Sequence, residues 1–350
     1  MQRKPRSVLV TVLGLAQSPL GPAPSVVEVV TVQGEASSRA SQDVWRRLTE
    51  HPAADFHPSW SADGAQILFD SERDGHWEVY LARADGREAK RLTRGSGPSD
   101  HPRWFPDGKR ILFELELAGD TELHSMLADG SGLVRLTRQP GVDGAGFVSP
   151  DGARIAFLTN RGGDFELCTM QADGSDVRQL TDNTSDDFGQ AWSPDGKTLA
   201  YMSEAHGNWE IELVAPDGTG RVRLTDDPAQ DEEPQWSPDG KRIAFRSDRE
   251  GDYDLFVMNA DGSELDLLVD TELPEGEIQW SPDGKRLLFA TGEMAAAELY
   301  LVGADGTGLR RLTENSARET APCWSPDGRS IAFVSERDGN LELYTRPVTP

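Results

Sequence analysis

Residues 236–269 read WSPDGKRIAFRSDREGDYDLFVMNADGSELDLLV. With Pro234-Gln-Trp236 closing a first strand, the stretch resolves into four short strands joined by three turns. Ser237-Pro-Asp-Gly240 is a turn by its chemistry: Pro pre-sets φ, Asp bonds the local backbone and Gly accepts positive φ. Arg242–Ser247 is the second strand. Asp248-Arg-Glu-Gly251 turns into a third, Asp254–Met258, and Asn259-Ala-Asp-Gly262 turns into a fourth that ends at Leu267-Leu-Val269. No segment carries a helical apolar period over ten or more residues.

The same unit recurs along the chain. WSPDG or a near copy begins at Trp60, Trp104, Val148, Trp192, Trp236, Trp280 and Trp324, a constant spacing of 44 residues. RLT or a near copy ends at Thr49, Thr93, Thr137, Thr181, Thr225, Val269 and Thr313 with the same spacing. Asp-Gly pairs keep the phase at Asp85, Asp129, Asp173, Asp217, Asp261 and Asp305. The second and third strands are apolar on both faces, as in Ile67-Leu-Phe69, Ile111-Leu-Phe113, Leu299-Tyr300 and Leu343-Tyr344. A strand with one wet face would alternate. In a chain without helices the cover must come from neighbouring sheets, so the sheets pack face to face around an axis as propeller blades.

The ends fix the count. The last repeat stops after a third strand, Leu341–Thr345, while the regular part begins with an orphan fourth strand, Trp45–Thr49. Joining them completes one blade and shuts the ring, which removes an exposed edge. The sequence therefore predicts an all-β, seven-bladed propeller of four-stranded antiparallel blades over residues 45–350, closed by the N-terminal strand. Residues 1–44 stand outside it. Ser25–Val32 (SVVEVVTV) has strand character and leaves eight blades as the alternative. Arg3, Lys4 and Arg6, the apolar run Val8–Ala16 and the small residues Gly14 and Ala16 follow the order of a secretory signal. The expected location is periplasmic or secreted, with cytoplasmic the alternative. No stretch reaches the eighteen apolar residues of a spanning helix, so no membrane insertion is expected.

A formal net charge of −25 argues against nucleic acid, since binding phosphates needs a basic face. It suits a cation or a basic peptide. Cys168 and Cys323 lie in strands of separate repeats and read as small buried apolar residues.

The strings WSPDG, KRIAF, SDREGDYDLFVMNADGS and RLT resemble the propeller repeat of the TolB family, a periplasmic component of the Tol–Pal system. Similar repeats occur in propeller domains of some peptidases and in oligogalacturonate lyase. TolB carries an α/β domain ahead of a six-bladed propeller; here residues 1–44 precede seven units. The peptidase resemblance would imply a GxSxG nucleophile elbow, and no such string is present. The lyase resemblance implies a metal held by several His and a Gln; only His57 and His101 share a repeat position.

Loops entering the inner strands line one mouth of a propeller channel. Five residues before each WSPDG marker stand Asp55, Ser99, Asp143, Asp187, Asp231, Glu275 and Glu319, with Asp100, Asp186, Glu232, Glu233 and Glu277 nearby. These acids are expected to ring the mouth and to bind a cation or a basic, extended peptide. The competing reading is that each acid bonds its own loop. His57-Pro58 and His101-Pro102, with Asp55 and Asp100, would suit a divalent cation; no other cofactor is expected. His51, His76, His124 and His206 fall in scattered phases and read as surface residues. The ADG aspartates read as turn residues, the RLT arginines as decoration of the outer edge, and the repeated Trp as packing between blades. No Ser-His-Asp set, Cys-His pair or phosphate loop appears. Two functions stay open: a non-catalytic, monomeric binder of a protein or peptide, preferred because no catalytic string is found, and a lyase or hydrolase using His57, His101 and acids at the mouth.

Overall fold

The computed structural model describes residues 45–95, 97–292 and 296–349. The expectations for residues 1–44 lie outside them. The described residues form seven four-stranded antiparallel sheets and no helix. In six of them the strands pair in chain order. The seventh runs from Arg46–Arg47 through Glu342–Pro347 and Ser330–Ser335 to Glu319–Trp324, so residues near the two ends share one sheet. Seven blades are thus realised among the described residues, and the alternative of eight is not.

The first strands are Asp55–Trp60, Ser99–Trp104, Asp143–Val148, Asp187–Trp192, Asp231–Trp236, Glu275–Trp280 and Glu319–Trp324, which define blades one to seven. Each lies against the first strand of the blade before and after it, so together they surround the axis. The fourth strands, such as Lys90–Arg91 and Arg310–Arg311, pair only with the third strand of their own sheet and form the rim.

The core is seven separate apolar clusters, one at each junction of consecutive blades. Between blades one and two, for example, Leu68, Val79 and Leu81 meet Ile111, Phe113 and Met126. The ninth residue after each marker is aromatic in every blade: Phe69, Phe113, Phe157, Tyr201, Phe245, Phe289 and Phe333, none more than 1% exposed. Burying each such ring stabilises the stack by roughly 2–3 kcal/mol. The marker Trp does more than pack. The Trp104, Trp192 and Trp280 indole N–H groups donate to carbonyls of the preceding blade, Ser59, Phe147 and Gln235, at 3.2, 2.9 and 3.1 Å.

The Asp-Gly turns behave as their chemistry requires, as where Asp129 accepts from the Ser131 N–H at 2.8 Å. The histidines do not all sit on the surface. His124 is 4% exposed and stacks on Phe113, in the place where four other blades put Tyr or Phe. His206 is exposed, as expected, and its ring meets buried Glu212 at 2.8 Å.

Candidate functional site

Each first strand carries a β-bulge. In blade one Phe56 pairs with Asp70 and Ser59 with Leu68, so two residues, His57 and Pro58, oppose the single Phe69. A bulge of this kind re-aims a side chain. The bulge residue is left-handed in every blade: His57, His101, Ala145, Gly189, Glu233, Glu277 and Ala321 have φ between 47° and 65°. Because first strands of adjacent blades touch, bulge residues 44 apart in sequence become neighbours.

On one side of the channel the neighbours are His57 and His101, with ring centroids 4.0 Å apart. His57 Nδ1 lies 2.8 Å from Asp70 Oδ2, which also accepts from the His101 backbone N–H at 3.0 Å. Asp70 is fully buried, and its Oδ1 has no hydrogen-bond partner among the described residues. His101 Nδ1 lies 3.4 Å from Asp100 and 3.9 Å from Glu114. The donor atoms of Asp100, His101 and Glu114 all fall within 4.8 Å of one another. Burial disfavours the His101 imidazolium, but Asp100 and Glu114 outweigh it and its pKa is raised. Burial pushes Glu114 up. Arg103 stacks on Phe147, 3.8 Å from the ring centroid, and burial lowers its pKa to about 10.

Around the channel the bulges of blades five and six bring two acids together. The Glu277 N–H donates to Glu233 at 3.1 Å, and Glu277 accepts from the Ala321 N–H at 2.7 Å. Arg246 approaches Glu233 at 3.4 Å and donates to Glu232, whose other oxygen takes the Tyr253 hydroxyl at 2.9 Å.

The acids five residues before the marker have a different setting. Asp55, Asp143, Asp187, Asp231, Glu275 and Glu319 are each buried to 2% exposure or less. In blades one, three, five and seven an arginine from the same blade grips the acid with two hydrogen bonds: Arg73 on Asp55, Arg161 on Asp143, Arg249 on Asp231 and Arg337 on Glu319, at 2.7–3.0 Å. Burial raises Asp55, Asp231 and Glu319 against the pull of these arginines. The even blades have no such arginine. Blade two has Ser99, Asp187 takes the Asn183 amide at 2.8 Å, and Glu275 takes the Thr271 hydroxyl at 2.6 Å. Of the residues expected at the mouth, the structure therefore brings His57, His101 and Asp100 together on one side of the channel and sets Glu233 beside Glu277 on another. Asp55, Asp143, Asp187, Asp231, Glu275 and Glu319 are held inside the blades.

The RLT arginines are not rim decoration. Each third strand carries a buried acid at or near its start, and Arg91, Arg135, Arg223, Arg311 and Arg47 pair with Glu78, Glu122, Glu210, Glu298 and Glu342. The Thr of the same string takes a third-strand N–H, as Thr313 does from Leu299 at 2.8 Å. Sequence reasoning missed this latch because four of the five pairs lie thirteen residues apart across a turn and the fifth, Arg47 with Glu342, lies 295 apart, although Glu and Arg recur in register and could have signalled it.

The family model of the TolB beta propeller domain matches residues 94–190, 186–272 and 269–349. No curated protein matches the sequence. Among solved structures, a putative TolB from Agrobacterium tumefaciens is 24% identical over 75% of this chain and 95% of its own, with a TM-score of 0.56. An oligogalacturonate lyase from Vibrio parahaemolyticus is 16% identical over 89% and 95%, with a TM-score of 0.74. A puromycin-hydrolyzing peptidase of Mycobacterium tuberculosis is 16% identical with a TM-score of 0.63; 81% of this chain matches half of that one. Identities this low speak for the fold alone. The family model covers most of the chain in consecutive segments, and the chain belongs to the TolB beta propeller domain family.

Proposed function

We propose that this chain is a non-catalytic scaffold of the cell envelope that, as a monomer, holds a protein or a basic, extended peptide at one mouth of its channel. The observation that carries this reading is the charge of the mouth loops from the connection of blades three and four to that of blades five and six. Residues 180–186, 204–209, 224–230, 248–253 and 270–274 hold ten acids and a single Arg or Lys, Arg249. That arginine is spent on Asp231. Glu233 and Glu277 continue the negative surface into the channel. Such a field attracts cationic ligands and speeds their arrival. The TolB likeness and the charged-then-apolar start of the chain support an envelope location.

Fluorescence anisotropy with a labelled Lys/Arg-rich peptide and an acidic control peptide tests the reading. The basic peptide should bind, weaken with salt, and weaken further in an Asp226→Asn, Asp227→Asn, Asp252→Asn variant. Equal binding of both peptides, or binding indifferent to these changes, sinks it. Mass determination of the mature N-terminus tests export.

One observation favours a second reading, a metal-assisted lyase or hydrolase acting on a saccharide or peptide. Asp100, His101 and Glu114 present one imidazole and two carboxylates, a donor set that suits a divalent transition metal. His57, Asp70 and Arg103 stand beside it. Stoichiometric metal in purified protein, lost in His101→Ala, would favour this reading; a folded, metal-free protein would favour the scaffold.

A further inference from the structure

At six of the seven blade junctions the first residue of the incoming first strand donates its N–H to the residue just before the preceding blade's third-strand acid; at the junction of interest Glu275 donates to Tyr253 at 2.7 Å. This places Asp254, the third-strand acid of blade five, beside Glu275. In five blades the third-strand acid is met by the arginine of RLT. In blade three Gln179 replaces that arginine, and the acid pair Glu166 and Asp187 instead receives the N–H and the side-chain amide of Asn183. The junction of blades five and six keeps both acids but loses the arginine and the threonine of the string; the Thr271 hydroxyl still donates to one oxygen of Glu275, and the Asp254 carboxylate receives no hydrogen bond among the described residues. Leu267 stands where the arginine would be and Val269 where the threonine would be, and no arginine stands at the position in blade six that matches Arg73.

Asp254 and Glu275 are each 1% exposed. Both oxygens of Asp254 and Oε2 of Glu275 have no hydrogen-bond partner among the described residues. The strongest neighbouring charges acting on Asp254 are those of Asp270, Asp252 and Glu250, all negative. A buried carboxylate with no donor is costly, and a bound cation removes that cost. The available donors are all oxygen, with no imidazole or thiol, which selects a hard cation over a transition metal.

We propose that the junction of blades five and six is a binding site for a hard divalent cation, calcium foremost, held by the carboxylates of Asp254 and Glu275 with those of Asp252 and Asp270 supplying further charge. The site is separate from the Asp100, His101 and Glu114 group and does not depend on the scaffold reading.

The full chain, stripped with chelator and held at pH 8, is titrated with calcium chloride by calorimetry and by thermal melting. Calcium should bind with a Kd of about 0.1–1 mM, the range of extracellular calcium modules, and raise the melting temperature. Asp254→Asn and Glu275→Gln should each weaken binding at least tenfold, and His101→Ala should leave it unchanged. Leu267→Arg places a guanidinium at the junction. It should abolish the calcium response while melting at least as high as the parent, which guards against variants that merely fail to fold. No calcium response in the parent chain means that a shared proton alone occupies the pair. A response that survives both Asp254→Asn and Leu267→Arg places calcium elsewhere. Either result overturns the proposal.

Discussion

Arg47 donates to Glu342 at 2.9 Å across 295 residues of sequence. Glu342 is fully buried and also receives the Thr49 hydroxyl and the His51 N–H. The arrangement repeats the latch of other blades, but here it joins the two ends of the ring.

Arg47→Leu should therefore cost about 3 kcal/mol, because it leaves a buried carboxylate without its cation. Urea unfolding would show the loss as a lower midpoint with an unchanged slope. Deleting residues 1–49 should go further and remove cooperative melting. A truncated chain that melts as sharply and as hot as the intact one would show that the ring does not need this strand.

Arg249→Met should cost a similar amount, about 3–5 kcal/mol, since Asp231 is fully buried and loses a two-pronged partner. Adding Asp231→Leu should recover most of it, because removing both charges leaves nothing unpaired. The double-mutant cycle in urea measures the coupling. Additive losses would mean that the two residues act independently.

Stability should respond to pH through Glu166, which is 4% exposed and whose pKa is raised by burial with Asp187 alongside. Above the ordinary glutamate value of about 4.3 the unfolded chain has released this proton and the folded chain still holds it. The group's contribution is thus fully present below that value and is lost as pH rises through the folded value. Glu166→Gln should flatten this part of the stability curve measured by urea midpoints. A slope identical to the parent's would assign the dependence to other acids.

The bulges offer a backbone test. Ala321 has φ 47°, a left-handed conformation that costs an L-residue about 1 kcal/mol, so Ala321→Gly should stabilise by a few tenths to about 1 kcal/mol. Gly189→Val, at φ 65°, should destabilise by about 1–3 kcal/mol. The two melting shifts should have opposite signs.

The fold was legible because its markers are local. Trp60 and its six counterparts mark a turn and a packing site within one short string, and the orphan strand at Trp45–Thr49 announced the closure of the ring. The site was less legible because it depends on register. That His57 would meet Asp70, and His101 meet Glu114, follows from a bulge that only strand pairing reveals. The acids before the marker looked alike in sequence, yet partners thirteen or eighteen residues away decide what each can do. One clue was present: Arg73, Arg161, Arg249 and Arg337 recur in phase in SERDG, TNRGG, SDREG and SERDG, which already points to a partner for the acid of the same blade.

These four arginines occupy blades one, three, five and seven. An every-other pattern cannot be continued around a circle with an odd number of members, so somewhere two like blades must stand side by side. Here they are the seventh and the first, which the chain joins as it runs from the Arg46–Arg47 strand of the seventh blade into Asp55 of the first. Parity alone thus sets the Arg337 grip in the same blade as the ring's non-covalent seam, where Arg46–Arg47 pairs with Tyr344 and Thr345 and the Arg47 latch spans the join, and sets the Arg73 grip in the next blade along.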